Sequence, residues 1–538
     1  MKSVFPEKNK FQMTKVIYNG RIYLDREKFC EAVIINDSKI YKTGSSKDLL
    51  DIAPKNTQKI DANGSLVLPA FYDSHLHLMW IGRRASGIEC VGIKSIEDII
   101  RLGRETVARL KPAQGAYIQG SGVDPDRFNG NKKRDLCRED LDKITEHHPL
   151  ILSRHCGHTV YCNSLALKIA GLSESAPEIK GGTIEKNENG KPTGVLRENA
   201  AVFIQKRMPF PSIKEMKNWI RLAMKKSHSM GITACGSYDV DGSDYDDVVQ
   251  SYREVYDEYK REGKPGLRIG MQLGISGCEK ILKKHIQRNT GTPLWQDTQW
   301  GTFLSIQSIK LFADGTLGGR TAFMRKPYYD DPNTTGFLLM ERDKLDRLVQ
   351  KAAENGMQVL IHAIGDAGID TALCAFERVT CPGSNPLRHG IIHCQITTPD
   401  LLERMARNKI LALVQPGFLA DDIHILESRV GNSLASASYA WNSMLNLGIP
   451  VNFSTDAPVS QLNPFHCIEW AVNRGGFSTH EKVDIFTAIE AYTRGYIKPG
   501  MPADIVFLDR DIFAIPNDEI NKTRILRTVC AGETVHEG

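Results

Sequence analysis

The chain has 538 residues, and its 69 lysines and arginines against 64 aspartates and glutamates leave a net charge of +5, which is close to neutral for this length. This balance does not indicate a nucleic-acid partner, and the basic run from Lys280 to Arg288 alternates with apolar residues in the pattern of a solvated helix face. The sequence has no run near the roughly 20 apolar residues of a membrane-spanning helix, and its 12 cysteines form no Cys-X-X-Cys pair. We therefore expect a cytoplasmic protein with reduced thiols and no membrane contact.

The two ends of the chain carry short strand patterns. Residues 13–65 alternate between apolar and polar positions, with turn signals at Asn19-Gly20 and Asn63-Gly64. Strand patterns return over 495–538. Each end therefore predicts a small β-unit.

The next segment, 66–73, is an apolar run that predicts a strand and is followed by His75 and His77. At a spacing of two, both imidazoles point to the same side of an extended chain. Neutral imidazole is a common zinc ligand. A lone His-X-His pair, however, is more often a surface or packing feature than a metal site.

Residues 82–228 are too long for a connection in a compact unit, so we expect an inserted domain there. The remaining barrel strands are predicted at 232–237, 268–273, 306–312, 357–362, 390–393, 410–414 and 451–454. Helical patterns such as 344–353 and 399–405 separate most of them. This alternation, with 66–73 as the first strand, predicts an α/β fold with a TIM-type (β/α)8 barrel.

Four more potential metal ligands follow predicted strands: Lys310, His362, His393 and Asp456. Each has an ordinary interpretation by itself, since such a lysine usually reaches solvent, such a histidine bonds to backbone, and such an aspartate caps a turn. In a barrel, however, the carboxyl ends of the strands meet at one face. The joint occurrence therefore predicts a site there.

The order His-X-His, Lys, His, His, Asp resembles the amidohydrolase superfamily, and the surrounding sequence resembles its YtcJ-like branch, amidohydrolase family 3. The similar stretches extend over nearly the whole chain: Val67 to His77, Gly157-His158, Asn163 to Leu167, Gly194 to Glu198, Lys310 to Gly315, Ile361 to Asp366, Arg388 to His393 and Ala503 to Leu508. Two departures are Ala70, where the family usually has glycine, and a shortened stretch from Ala491 to Gly500.

The resemblance implies that 13–65 and 495–538 join into a discontinuous β-sandwich, that 66–81 and 229–494 form the metallohydrolase barrel, and that 82–228 lies over the active site. It also implies two divalent metal ions, expected to be Zn²⁺, bridged by a carbamylated Lys310. One ion would be held by His75, His77 and Asp456, and the other by His362 and His393. His158, Glu198 and Asp314 are expected near the substrate.

The implied activity is hydrolysis of a C–N bond of amide, N-acyl or N-formyl type in a small molecule, with a metal-bridging hydroxide as nucleophile and Asp456 as the catalytic proton acceptor and donor. Two alternatives remain open from the sequence: an esterase or phosphoester hydrolase on the same scaffold, and a catalytically silent regulatory homologue. A homodimer is the assembly we expect, because dimers are the commonest closed oligomers.

Overall fold

The computed structural model describes residues 14–129, 134–154, 159–172, 177–179, 181–241, 245–274, 295–299 and 301–538. His158 and the basic run 280–288 lie outside the described residues. The chain divides into two compact units, one comprising the residues up to Leu78 together with Met224–Gly538, and the other comprising Met79–Ala223. Within the described part, every helix is too short or too polar to cross a bilayer.

We number the strands along the chain. They are β1 Thr14–Tyr18, β2 Arg21–Asp25, β3 Lys28–Cys30, β4 Ala32–Asn36, β5 Lys39–Gly44, β6 Gln58–Asp61, β7 Leu66–Pro69, β8 Phe71–Leu76, β9 Ile88–Glu89, β10 Ile118–Val123, β11 Leu150–Arg154, β12 Thr159–Cys162, β13 Gly182–Lys186, β14 Pro192–Glu198, β15 Ile232–Asp241, β16 Arg268–Gly274, β17 Trp295–Asp297, β18 Gly301–Phe312, β19 Gln358–Ala363, β20 Gly390–His393, β21 Leu411–Val414, β22 Val451–Phe453, β23 Ile505–Leu508, β24 Ile525–Cys530 and β25 Glu533–Glu537.

The α-helices of the described residues are Ser46–Ile52, Leu78–Ala85, Ile96–Leu110, Arg138–Asp142, Ser164–Ile169, Asn199–Gln205, Ile213–Ser229, Tyr245–Arg261, Arg342–Glu354, Asp366–Glu377, Pro399–Arg407, Phe418–Val430, Asn432–Ser436, Trp441–Asn446, Pro464–Asn473 and Ile485–Ala491. The helices predicted at 344–353 and 399–405 are confirmed, each slightly longer than its pattern.

Eight parallel strands form a nearly closed barrel in the order β8, β15, β16, β18, β19, β20, β21 and β22. Hydrogen bonds link the chain after β22 to β8, because the Asp456 N–H donates to the His75 carbonyl at 2.9 Å and the Thr455 hydroxyl donates to Asp73 at 2.7 Å. Burial raises the pKa of the Asp73 carboxyl to about 7. The predicted (β/α)8 barrel is confirmed, and short strands such as β20 and β21 are apolar runs because both faces of the sheet are buried there.

The first predicted strand was wrong in one respect. The run 66–73 is divided between two sheets: β7 pairs with β2 and β23 of the terminal segments, whereas β8 pairs with β15 of the barrel. An apolar run has the same appearance in either sheet, so hydrophobicity could not locate the division. The barrel therefore begins at Phe71 rather than Leu66.

The chain ends supply two further sheets, with orders β5-β4-β1-β6 and β25-β24-β23-β7-β2-β3. Buried residues from both sheets, among them Val33, Ile60, Val67 and Phe507, belong to one apolar cluster. This pairing of sheets is the sandwich expected from the resemblance. The predicted turns are present as well, with Asn19 and Asn63 at φ 57° and 50°.

The second compact unit has its own six-stranded sheet, in the order β13-β14-β12-β11-β10-β9. One apolar cluster packs residues of β10, β11 and β12 with Ile96 and Ile99 from the helix Ile96–Leu110. A second cluster includes Leu167 and Ile204 from two shorter helices. The unit therefore has a hydrophobic core of its own.

His389, just before β20, makes the stability of the barrel depend on pH. Its Nδ1 accepts a hydrogen bond from the Val359 N–H at 3.0 Å, and burial lowers its pKa from 6.5 to about 4. Between these values the unfolded chain binds more protons, so stability falls by about 3 kcal/mol as the pH drops from 6.5 to 4. The variant His389→Gln keeps a hydrogen-bond acceptor but does not titrate. We therefore expect the melting temperature of the variant minus that of the unaltered protein to be more positive at pH 5 than at pH 7.

Thermal melting at both pH values checks this expectation. His480→Gln is the matched control, because the His480 side chain is 65% exposed and its removal should leave the pH dependence unchanged. An equal change in melting temperature at both pH values for His389→Gln would contradict the assignment.

Candidate metal centre

His75 and His77 direct their Nε2 atoms toward the same carboxylate oxygen, Oδ1 of Asp456, at 3.3 and 3.1 Å. Their other ring nitrogens have hydrogen-bond acceptors: His75 Nδ1 lies 2.6 Å from Gln272 Oε1, and His77 Nδ1 lies 3.1 Å from the Tyr238 carbonyl. A carbonyl oxygen only accepts, so each Nδ1 carries the proton. Burial lowers the pKa of His75 well below 6.5, and in the neutral form of either ring the Nε2 presents a lone pair to the centre.

Lys310, near the end of β18, is 2% exposed. Its Nζ lies 3.4 Å from His75 Nε2 and 5.0 Å from the centre of the Phe312 ring. Burial lowers the pKa of this amine from 10.5 to about 7, because an ammonium loses its hydration among these side chains.

His362 and His393, near the ends of β19 and β20, have ring centres 4.5 Å apart. His362 Nε2 donates to the Gly315 carbonyl at 2.9 Å, and His393 Nδ1 lies 2.8 Å from Gln415 Oε1. Burial lowers the pKa of His362 to about 3 and that of His393 well below 6.5. Both rings are therefore neutral, with Nδ1 of His362 and Nε2 of His393 free of these bonds.

Asp456, three residues after β22, has a buried Oδ1 without a hydrogen-bond donor among the described residues. Its nearest polar neighbours are the Nε2 atoms of His75 and His77, which are themselves acceptors. Ligand atoms of His75, His393 and Asp456 all lie within 4.8 Å of one another. A group of lone pairs with no proton between them is unfavourable unless a cation is bound, so this donor set fits a divalent metal such as zinc.

The structure thus brings all six predicted ligands together. The sequence reasoning missed the four groups that orient the imidazoles: the side chains of Gln272 and Gln415 and the backbone carbonyls of Tyr238 and Gly315. Both glutamines could have been noticed in the sequence, because each is a single amide side chain in or next to a predicted strand. Gln415 is also fixed, since its Nε2 donates to Ser454 Oγ at 2.8 Å.

We expect Gln415→Leu to lower metal affinity and activity about 10- to 100-fold, because the His393 ring loses the acceptor that fixes its tautomer and orientation. Metal titration checks affinity, and Gln415→Glu, which keeps an acceptor, should restore most of it. If the leucine and glutamate variants bind metal equally well, Gln415 does not position His393.

Asp314 lies beside the centre, with its Oδ1 3.6 Å from His362 Nε2. Its carboxylate accepts backbone N–H bonds from Ile364 at 3.0 Å, Gly365 at 2.8 Å and Phe323 at 2.9 Å. The residue is fully buried, and burial raises its pKa to about 7. These contacts favour a role in positioning His362 and the chain after β18, and the predicted contact with substrate stays a prediction.

The other two residues expected near the substrate belong to the inserted segment. Glu198 ends β14 and is exposed, with a left-handed φ of 52°. Its predicted role stays a prediction, as does that of His158.

This (β/α)8 barrel places four imidazoles, a carboxylate and a buried lysine at one face. Such a fold and such a set of side chains are typical of a metal-dependent hydrolase. The model of the amidohydrolase family matches residues 58–536. The chain therefore belongs to the amidohydrolase family, and this membership, together with its hydrolase relatives, supports a hydrolase that acts on carbon–nitrogen bonds.

Individual relatives agree with this assignment. The chain is 31% identical to YtcJ of Bacillus subtilis (strain 168), a protein named as an amidohydrolase, over 98% of this chain and 100% of that protein. It is 22% identical to the N-substituted formamide deformylase of Arthrobacter pascens, over 96% of this chain and 97% of the deformylase. A crystal structure of an uncharacterized metal-dependent hydrolase from Pyrococcus horikoshii superposes with a TM-score of 0.76 at 27% identity, covering 94% of this chain and 99% of the other.

Proposed function

We propose that the protein hydrolyses an amide, N-acyl or N-formyl bond of a small molecule at a centre of two divalent ions, expected to be Zn²⁺. The observation that carries this proposal is the convergence of lone pairs from His75, His77 and Asp456. Lys310 and the other two histidines lie next to this group. Six such groups are more than one closed tetrahedral structural site needs, which favours an open catalytic centre.

Lys310 takes part through its carbamate. A free ammonium cannot bind a cation, whereas the neutral amine that burial favours can add to carbon dioxide, forming an N–C bond and releasing one proton. The resulting carboxylate oxygens are suited to bridging two ions. The close approach of Nζ to His75, and the location of His362 and His393 on the neighbouring strands β19 and β20, support this role.

Two ions held by these residues would lower the pKa of a shared water and would polarise the scissile carbonyl. Asp456 would accept the proton of the attacking water and return it to the leaving nitrogen as the C–N bond breaks. The fixed Nδ1–H bonds of His75 and His77 hold their rings during this transfer.

The name of the Arthrobacter protein, with its reference to N-substituted formamides, suggests an N-formyl amine as the first substrate class to try. A matched set tests the bond type: N-butylformamide, N-butylacetamide, butyl formate and butyl phosphate, given to protein prepared with Zn²⁺ and bicarbonate. Release of butylamine measures C–N cleavage, and His393→Ala is the inactive control.

We expect one of the two amides to be turned over faster than the ester and the phosphate. Turnover of only butyl formate or only butyl phosphate would replace the proposal with an esterase or a phosphoester hydrolase. Two bound ions without turnover of any of the four compounds would count against the proposed substrate class.

A further inference from the structure

A cavity of about 740 Å³ in the barrel unit lies at the amino-terminal ends of the strands. Gln358 and Leu360 of β19 line it, and His362 follows on the same face of that strand. At about 3.3 Å per residue, the Cα atoms of Gln358 and His362 are roughly 13 Å apart. The cavity is therefore separate from the metal centre.

Leucine side chains form the inner wall of this cavity. Leu360, Leu411 and Leu413 line it, and together with Ile392 they make a buried apolar cluster. Leu413 of β21 lies two residues before Gln415, the side chain that accepts the hydrogen bond from His393. The apolar cluster thus lies between the cavity and the histidines.

Two arginines, Arg388 and Arg494, line the same cavity, and its described lining includes no carboxylate. Among the described residues, neither arginine has an ion-pair partner. Both are exposed, whereas the leucines are buried. The cavity therefore combines a deep apolar wall with positive charge at its outer part.

The position of Arg494 is fixed by an aromatic ring. Its guanidinium carbon lies 3.9 Å from the centre of the Tyr72 ring, and the Tyr72 hydroxyl accepts a hydrogen bond from Gln307 Nε2 at 3.3 Å. A guanidinium held against an aromatic ring keeps its N–H groups available for an anion. Arg494 is thus prepared for a ligand before one binds.

We propose that this cavity is a second binding site, which takes a small organic anion with an apolar body. Its volume falls within the range of small-molecule sites. The two guanidinium groups recognise a carboxylate or a phosphate, and the leucine wall contacts the apolar part. This site is independent of the reaction at the metal centre.

Isothermal titration of the metal-loaded, full-length protein tests the proposal with three probes of equal ring size: benzoate, phenyl phosphate and the neutral benzyl alcohol. We expect saturable binding of at least one anion and at least tenfold weaker binding of benzyl alcohol. The stronger of the two anions distinguishes a carboxylate site from a phosphate site. Arg388→Gln and Arg494→Gln should each weaken that binding about tenfold.

Two controls separate this site from other sources of binding. A carboxylate can also bind metal, so the titration is repeated with His393→Ala, which should keep the affinity. Arg347→Gln removes an exposed charge from the outer helix Arg342–Glu354 and should have no effect. Loss of binding in His393→Ala with retention in both arginine variants, or no saturable binding of either anion, would overturn the proposal.

Discussion

Lys310→Ala is expected to lower kcat/KM about a thousandfold and to reduce the bound metal from two ions per chain to one or none. The physical reason is that the carbamate is the only proposed ligand shared by both ions, and the metal contribution to transition-state stabilisation is several kcal/mol. Metal analysis of protein prepared with bicarbonate, together with amide turnover, measures both effects.

Two further variants and the addition of a small carboxylate test whether the effect is specific to the proposed carbamate. Lys344→Ala removes an exposed lysine on an outer helix and should change neither quantity. Lys310→Glu places a carboxylate without carbon dioxide and should retain more metal than the alanine variant. Acetate or propionate should partly restore activity to Lys310→Ala by occupying the vacated position. Unchanged metal content in Lys310→Ala would show that Lys310 is not a bridge.

Asp456→Asn is expected to lower kcat by about 10²- to 10⁴-fold with little change in KM, because the amide cannot accept the proton of the attacking water. The Asp456 carboxylate is buried, and its Oδ1 faces His75 and His77 and has no hydrogen-bond donor among the described residues.

Metal content must be measured alongside, because Asp456 is also a proposed ligand. Asp343→Asn, on the exposed first turn of the helix Arg342–Glu354, is the matched control and should behave as the unaltered protein. If Asp456→Asn retains metal and full kcat, another group carries the proton, and the assignment of Asp456 is wrong.

The sequence by itself determined the barrel and its six potential ligands. Strands such as 390–393 and 410–414 are buried on both faces, so they appear as short apolar runs that can be located without a structure. Histidine, lysine and aspartate stand out at the ends of such runs because few polar residues occur there. Parallel strands in a barrel place those ends on one face, so chain order and residue type were sufficient to predict that the six would meet.

Only the tertiary structure decided which sheet receives Leu66–Pro69, because an apolar run is favourable in either sheet. It alone identified Gln272, Gln415 and the Tyr238 carbonyl, since these contacts join residues from different strands and depend on strand register. The tautomers of His75 and His77 follow from those contacts, and only the structure shows that Asp456 Oδ1 has no hydrogen-bond donor within the described part of the chain. The sequence names the possible ligands, whereas hydrogen bonds between distant residues determine which of their atoms face the metal centre.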